Sequence, residues 1–155
     1  MGDLTKNFSL DEFLVSEKAD QLGIANTPTP VHLERLKTVT APGMQIVRDL
    51  VGRSIVITSA YRNPTINKAV GGTATSAHPL AWATDSRAAG MTALAYAKVV
   101  AQAMKPSGVL HGKIDQLIYE ASRNIVHISF DPRARGQIKT QKYGLGPSFT
   151  KGRPS

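Results

Sequence analysis

The sequence predicts a single α+β domain, a small antiparallel sheet with helices packed on one side. Three observations lead there. The run Ser54-Ile55-Val56-Ile57-Thr58-Ser59 is rich in β-branched residues and reads as a strand. Residues 115–120 and 125–130 read as two more strands, and the polar Ala121-Ser122-Arg123-Asn124 between them reads as the turn of a hairpin. The segments 10–17, 30–50 and 92–104 instead carry apolar residues at helical spacing.

Taken in order, Ser9 is a candidate N-cap for a first helix running through Leu10, Phe13, Leu14 and Glu17. Glu12 stands at the capping-box position, and Gly23 ends the helix. Asn26-Thr27-Pro28-Thr29-Pro30 reads as a turn into a second helix, whose pattern continues through Leu33, Leu36, Val39, Met44, Val47 and Leu50. Pro42-Gly43 is expected to interrupt or kink it. After the 54–59 strand, a Pro turn starts a short helix over 63–70 that ends at Gly71-Gly72. Residues 73–81 read as loop, 83–86 as a short strand, and 92–104 as an Ala-rich helix capped by Thr92. With Ala121–Asn124 as a four-residue turn, Glu120 pairs with Ile125 and Ile118 with His127, so Glu120 shares a face with His127.

At 155 residues the chain fits one domain, with a body over 1–131 and a basic, partly flexible tail of the same domain over 132–155. There is no cysteine, which excludes disulfides, thiolate metal sites and thiol nucleophiles. No apolar run approaches a membrane span, and the opening residues lack the apolar core of a secretory signal, so the expected starting place is a cytoplasm. Nineteen Lys and Arg against eleven Asp and Glu give a formal charge of +8. That field favours anionic partners. The skew is greatest after Asp131, where Arg133, Arg135, Lys139, Lys142, Lys151 and Arg153 follow with no acid. Specific nucleic-acid binding is not expected, because aromatic residues make up only 6% of the chain and no known motif is present.

The chemistry concentrates at His78, Asp85 and His127. Two imidazoles and one carboxylate are a ligand set that Zn²⁺ accepts, leaving a fourth position for water. Such a site acidifies water and polarises a carbonyl, the equipment of a metallopeptidase. On spacing alone, the same residues also read as a loop histidine, a solvated aspartate and a core-facing strand histidine.

The surrounding pattern is more specific. Ser59-Ala60-Tyr61-Arg62-Asn63-Pro64, Asn67, Val70-Gly71-Gly72 and the stretch from Ser76 to Asp85 are followed by Asp115-Gln116-Leu117-Ile118-Tyr119-Glu120 and Val126-His127-Ile128-Ser129-Phe130. Phe8-Ser9-Leu10-Asp11-Glu12-Phe13-Leu14 precedes them. In order and near-family spacing, residues 8–130 resemble the zinc D-alanyl-D-alanine peptidase family, which includes phage cell-wall endopeptidases (endolysins). The resemblance implies a hedgehog-like DD-peptidase fold, Zn²⁺ on His78, Asp85 and His127, and hydrolysis of peptide bonds in bacterial peptidoglycan stem peptides. It also implies that Arg62 holds a substrate carboxylate or steadies the oxyanion, and that Ser76 contacts substrate or supports the first ligand. No Gly-x-Ser-x-Gly elbow is present, so Ser76 is not read as a nucleophile. His32 and His111 read as structural or surface residues.

Three positions depart from the family pattern. Many members carry an acid three residues before the last histidine, and here that position is Asn124, which cannot take a proton. The usual tryptophan two before the histidine is Ile125, and the loop glycine is Ala81, followed by Trp82. Glu120 is therefore the expected general base, with Asp115 the second choice. The expected protein is a monomeric phage lysis enzyme, held in the host cytoplasm before acting on the periplasmic cell wall, or carried on the virion. Its basic charge would favour anionic wall or outer-membrane polymers. The departures leave a second reading, a catalytically degenerate zinc-binding module that binds wall or serves as a virion component.

Overall fold

The protein is α+β, as the sequence predicts. The computed structural model describes residues 2–71, 77–141 and 149–151. In chain order the elements are α1 (Leu10–Leu14), α2 (Glu17–Leu22), α3 (Pro30–Arg35), a π-helical turn (Leu36–Thr40), α4 (Ala41–Val51), β1 (Ile55–Ser59), α5 (Pro64–Ala69), β2 (Ala83–Ala88), α6 (Ala93–Ala103), β3 (Gln116–Glu120), β4 (Ile125–Ser129), β5 (Gln137–Gln141) and β6 (Phe149–Lys151). The sheet order is β1-β2-β4-β3-β5-β6. Every neighbouring pair is antiparallel except β3 and β5, which run parallel.

Local chemistry sets most boundaries. The Ser9 amide donates to Glu12 Oε2 at 2.7 Å, the backbone half of the expected capping box. The first helix nevertheless divides in two, against expectation. Val15 is extended (φ −60°, ψ 129°), and the Ser16 side chain accepts from the Ala19 amide and starts α2 afresh. A hydroxyl that can cap competes with continuing the helix. Gly23 ends α2 at φ 66°, a left-handed conformation that costs glycine little.

Pro42 does not break its helix as expected. The chain stays helical from Pro30 to Val51, and the wider π turn at Leu36–Thr40 lies just before the proline that cannot donate. Thr92 caps α6, its side chain accepting from the Ala95 amide at 3.1 Å. The strand read at 83–86 extends to Ala88, and β5 and β6 add strands the sequence pattern did not indicate.

One face of the sheet carries the main core. Helix α6 packs across β2, β3 and β4, and α4 packs against α6. Val126, Ile128, Met44, Val47, Tyr96 and Val100 are buried together there. Polar groups on this face are satisfied: Ser86 Oγ lies 2.8 Å from Tyr96 Oη, and Thr84 Oγ1 donates to Met44 Sδ at 3.2 Å.

Gly43 faces the Phe130 ring so closely that a Cβ would stand 2.4 Å from it. Gly43→Ala is expected to lower stability by about 1–3 kcal/mol through overpacking, although alanine is the better helix former. Urea denaturation of the two proteins checks this.

Candidate metal centre and active site

Strand pairing builds the opposite face of the sheet into a site. Asp85 of β2 pairs directly with His127 of β4, which pairs directly with Ile118 of β3. Directly paired residues share a face, so the carboxylate and imidazole meet across one strand spacing. Glu120, two residues beyond Ile118, pairs with Ile125 and lies on the same face, as the sequence register predicts. A bulge in β1 between Ile57 and Ser59 makes Thr58 the extra residue, and its hydroxyl donates to the Asp85 carbonyl at 3.2 Å.

The second imidazole arrives from a loop. His78 is 2% exposed, and its Nδ1 donates to the Ala60 carbonyl at 2.6 Å, just past the end of β1. The Arg62 and Ala81 amides both donate to the His78 carbonyl, at 3.4 and 3.0 Å. Thr40 Oγ1 donates to the Ala81 carbonyl at 2.6 Å, and Arg35 donates to the Leu80 carbonyl at 3.1 Å while its guanidinium lies 4.5 Å from the Trp82 ring centre. Ala81 has φ 66°. That conformation gives the family glycine at this position its physical reason, and alanine tolerates it at a cost of about 1 kcal/mol.

Three donor atoms converge. Asp85 Oδ1 lies 3.2 Å from His78 Nε2 and 3.1 Å from His127 Nδ1, and all three atoms lie within 4.8 Å of one another. Burial holds the His78 imidazole below its ordinary value, against the opposing pull of Asp85. Burial alone would push the Asp85 carboxyl up, but the two imidazoles more than offset it and hold it well below the carboxylate range. Because Nδ1 donates to Ala60, a neutral His78 turns the lone pair of Nε2 toward an ionised oxygen. Two electron-rich atoms facing each other in a buried site fit a cation between them. The donor set and the His78–Ala60 support suit zinc.

Around this triad lie two arginines and a second acid. Glu120 is 5% exposed, and burial and the nearby Asp85 raise its carboxyl above the ordinary value, opposed by Arg123 and His127. Arg123 Nη1 donates to Glu120 Oε1 at 3.0 Å, and Nη2 lies 3.6 Å from Asp85 Oδ2. Burial lowers the Arg62 guanidinium, with Asp85 pulling it back up, and its Nε is buried without a hydrogen-bond partner. The Arg62 backbone is fixed by its neighbours: Asn26 donates to the Tyr61 carbonyl at 2.8 Å and accepts from the Asn63 amide at 3.1 Å, while Asn63 Oδ1 caps α5.

The structure therefore brings together His78, Asp85, His127, Glu120 and Arg62, all singled out in the sequence. Ser76 lies outside the described residues. Asp115, the second choice for the base, does not join them, because its oxygens accept from Arg135 Nε and Nη2, both at 2.8 Å. Asn124 has φ 53° in the hairpin turn, and its Oδ1 accepts from the Ala93 amide at 3.3 Å. It supports the N-terminus of α6 instead of facing the triad. The His32 ring lies tilted against Tyr61, and His111 Nδ1 contacts the Met104 carbonyl. Arg123 was not anticipated. A charged residue in a hairpin turn carries no signal that it folds back over the strand face.

Residues 6–129 match the family model described as Peptidase M15. The chain belongs to the peptidase M15 family. No curated protein and no solved structure gives a significant match. M15 peptidases are zinc-dependent hydrolases, and the family implies a peptidoglycan-type substrate. The His78, Asp85 and His127 group gives this M15 domain a place for the metal. Among the described residues, no helix is long and apolar enough to cross a membrane.

Zinc at a hundredfold excess over its dissociation constant is expected to stabilise the fold by about 2.7 kcal/mol. His127→Ala is expected to abolish stoichiometric uptake and the stabilisation together. Calorimetric titration and thermal melts with and without chelator check both.

Proposed function

We propose that the protein is a zinc peptidase that hydrolyses stem-peptide bonds of bacterial peptidoglycan in phage-mediated lysis, with His78, Asp85 and His127 as the metal ligands. Glu120 carries the catalytic part of this reading. It is the acid that shares the face of the triad, is buried beside Asp85, and has a carboxyl raised above its ordinary value by burial and by Asp85. Family membership supports the reaction class, and the convergent triad supports the metal.

Zinc bound there supplies Lewis-acid polarisation of the scissile carbonyl and lowers the pKa of water. Glu120 takes the proton from the attacking water and passes it to the nitrogen of the leaving amine as the C–N bond breaks. The attacking oxygen remains in the new carboxylate. Arg62, held at the end of β1 with a buried Nε, places a permanent positive charge where negative charge develops on the carbonyl oxygen. The Ala60 carbonyl fixes the His78 tautomer, and the Thr58 hydroxyl fixes the backbone of Asp85. Ser76 is kept as a substrate-contacting residue by its family position alone. The formal charge of +8 supports attraction to anionic wall or outer-membrane polymers after release from the host cytoplasm.

One observation favours a second reading, a zinc-binding module without hydrolysis: Arg123 holds Glu120 at 3.0 Å. Turbidity loss and soluble-fragment analysis on purified peptidoglycan separate the two. Native, zinc-loaded protein is expected to release peptide fragments that chelation and His127→Ala both abolish. A zinc-loaded protein that releases none contradicts the peptidase.

Glu120→Gln is expected to reduce kcat by about 10²–10⁴ while zinc still binds. Asp115→Asn is expected to lower stability by about 1–3 kcal/mol, since it weakens a charged hydrogen-bond pair, and to leave kcat of the folded protein within a factor of a few. Steady-state kinetics and denaturation of the two variants check the assignment of the base.

A further inference from the structure

The residue that neither the sequence pattern nor the family explains is Arg123. Its side chain is 45% exposed, yet its guanidinium reaches both acids of the site, Glu120 Oε1 at 3.0 Å and Asp85 Oδ2 at 3.6 Å. It also lines a polar cleft of about 410 Å³. Arg62, Thr58 and Ser59 line the same cleft from the end of β1, and Glu17 and Lys18 from α2. The cleft thus presents three cationic side chains and a single acid. Its hydroxyls and charges suit a hydrated, anionic ligand better than an apolar one.

The charge balance points the same way. Without a metal, the formal charges of Asp85 and Glu120 offset those of Arg62 and Arg123, and Arg123 alone of the two arginines contacts both acids. A divalent cation on the triad takes over the Asp85 carboxylate and leaves the site positive. The weaker of Arg123's two contacts, to Asp85, is then in competition with the cation. The side chain is half exposed where it lines the cleft, and its planar fork matches a carboxylate.

We propose that Arg123 is a specificity-determining residue that reads a free carboxylate of the substrate next to the scissile bond. Its fork moves from Glu120 to that carboxylate, so that recognition of an acidic peptide releases Glu120 to handle protons. Arg62 serves the reacting carbonyl and Arg123 the substrate's own charge. This rests on the peptidase reading above, and what it adds is the residue of this chain that reads the substrate's charge.

The test uses a synthetic stem pentapeptide in three forms: free acid, C-terminal amide, and amide of the D-glutamate α-carboxyl. Calorimetry on the full chain in chelator measures binding, and parallel assays with zinc measure cleavage. Native protein is expected to bind the free acid about tenfold tighter than one of the two amides. Which amide loses affinity identifies the carboxylate. Arg123→Gln is expected to bind all three alike, and Arg123→Lys to keep part of the preference, as a point charge without the fork. With zinc, the same preference should appear in kcat as well as in KM, because an amide leaves Glu120 held by Arg123.

Native protein that binds the three peptides equally, or not at all, overturns the inference. So does an Arg123→Gln variant that discriminates as well as native. Cleavage without discrimination removes the role of Arg123 and leaves the peptidase standing. Discrimination in chelator with no cleavage in zinc upholds Arg123 as a carboxylate reader and removes the peptidase.

Discussion

The direct pairing of Asp85 with His127 across β2 and β4 is the constraint on which the rest of the site depends. It places a carboxylate and an imidazole one strand spacing apart on a buried surface, a position neither would hold without compensation. Everything nearby serves that compensation. The loop from Ala77 to Trp82 delivers the second imidazole and is held by hydrogen bonds from Arg35, Thr40 and Arg62. The hairpin turn delivers Arg123 to the second oxygen of Asp85. Shifting β4 by one residue would send His127 into the α4–α6 core and dismantle the site.

The two faces of the sheet therefore divide the labour. Val126 and Ile128 alternate with Ile125 and His127 along β4, so one strand fills the helix-packed core and carries a residue of the triad on its other face. All five residues of β4 are buried. Burial on the site face displaces Glu120, Arg62 and His78 from their ordinary values. Desolvation raises Glu120 and lowers Arg62 and His78, and only Asp85, facing two imidazoles, moves the other way from its burial cost.

Much of this was legible in the residues themselves. The β-branched run of β1, the four-residue hairpin turn and the Thr92 cap follow from short-range preferences, and the register that joins Glu120 to the face of His127 follows from counting in twos. The convergence of His78 on Asp85 was carried by family resemblance, because a loop's path is set by distant hydrogen bonds such as Thr40 to Ala81. The break between α1 and α2 was missed because Ser16 can either continue a helix or cap a new one, and tertiary contacts decide. Strands β5 and β6 were missed because their residues are mostly polar and show little hydrophobic alternation. Asp115 was weighed as a base because its partner, Arg135, lies on a segment that sequence alone does not bring near it. Asn124 stands where many members of the family carry an acid. Its φ of 53° and its bond to the Ala93 amide show that the asparagine is fitted to a turn.

The central claim is that His78, Asp85 and His127 together hold one zinc ion. X-ray absorption at the zinc edge of the stoichiometrically loaded protein tests it most directly. The account predicts a four-coordinate light-atom shell at about 2.0–2.1 Å with the outer-shell scattering of two imidazoles. A shell with one imidazole or none, or a six-coordinate ion bound at the surface, would contradict it.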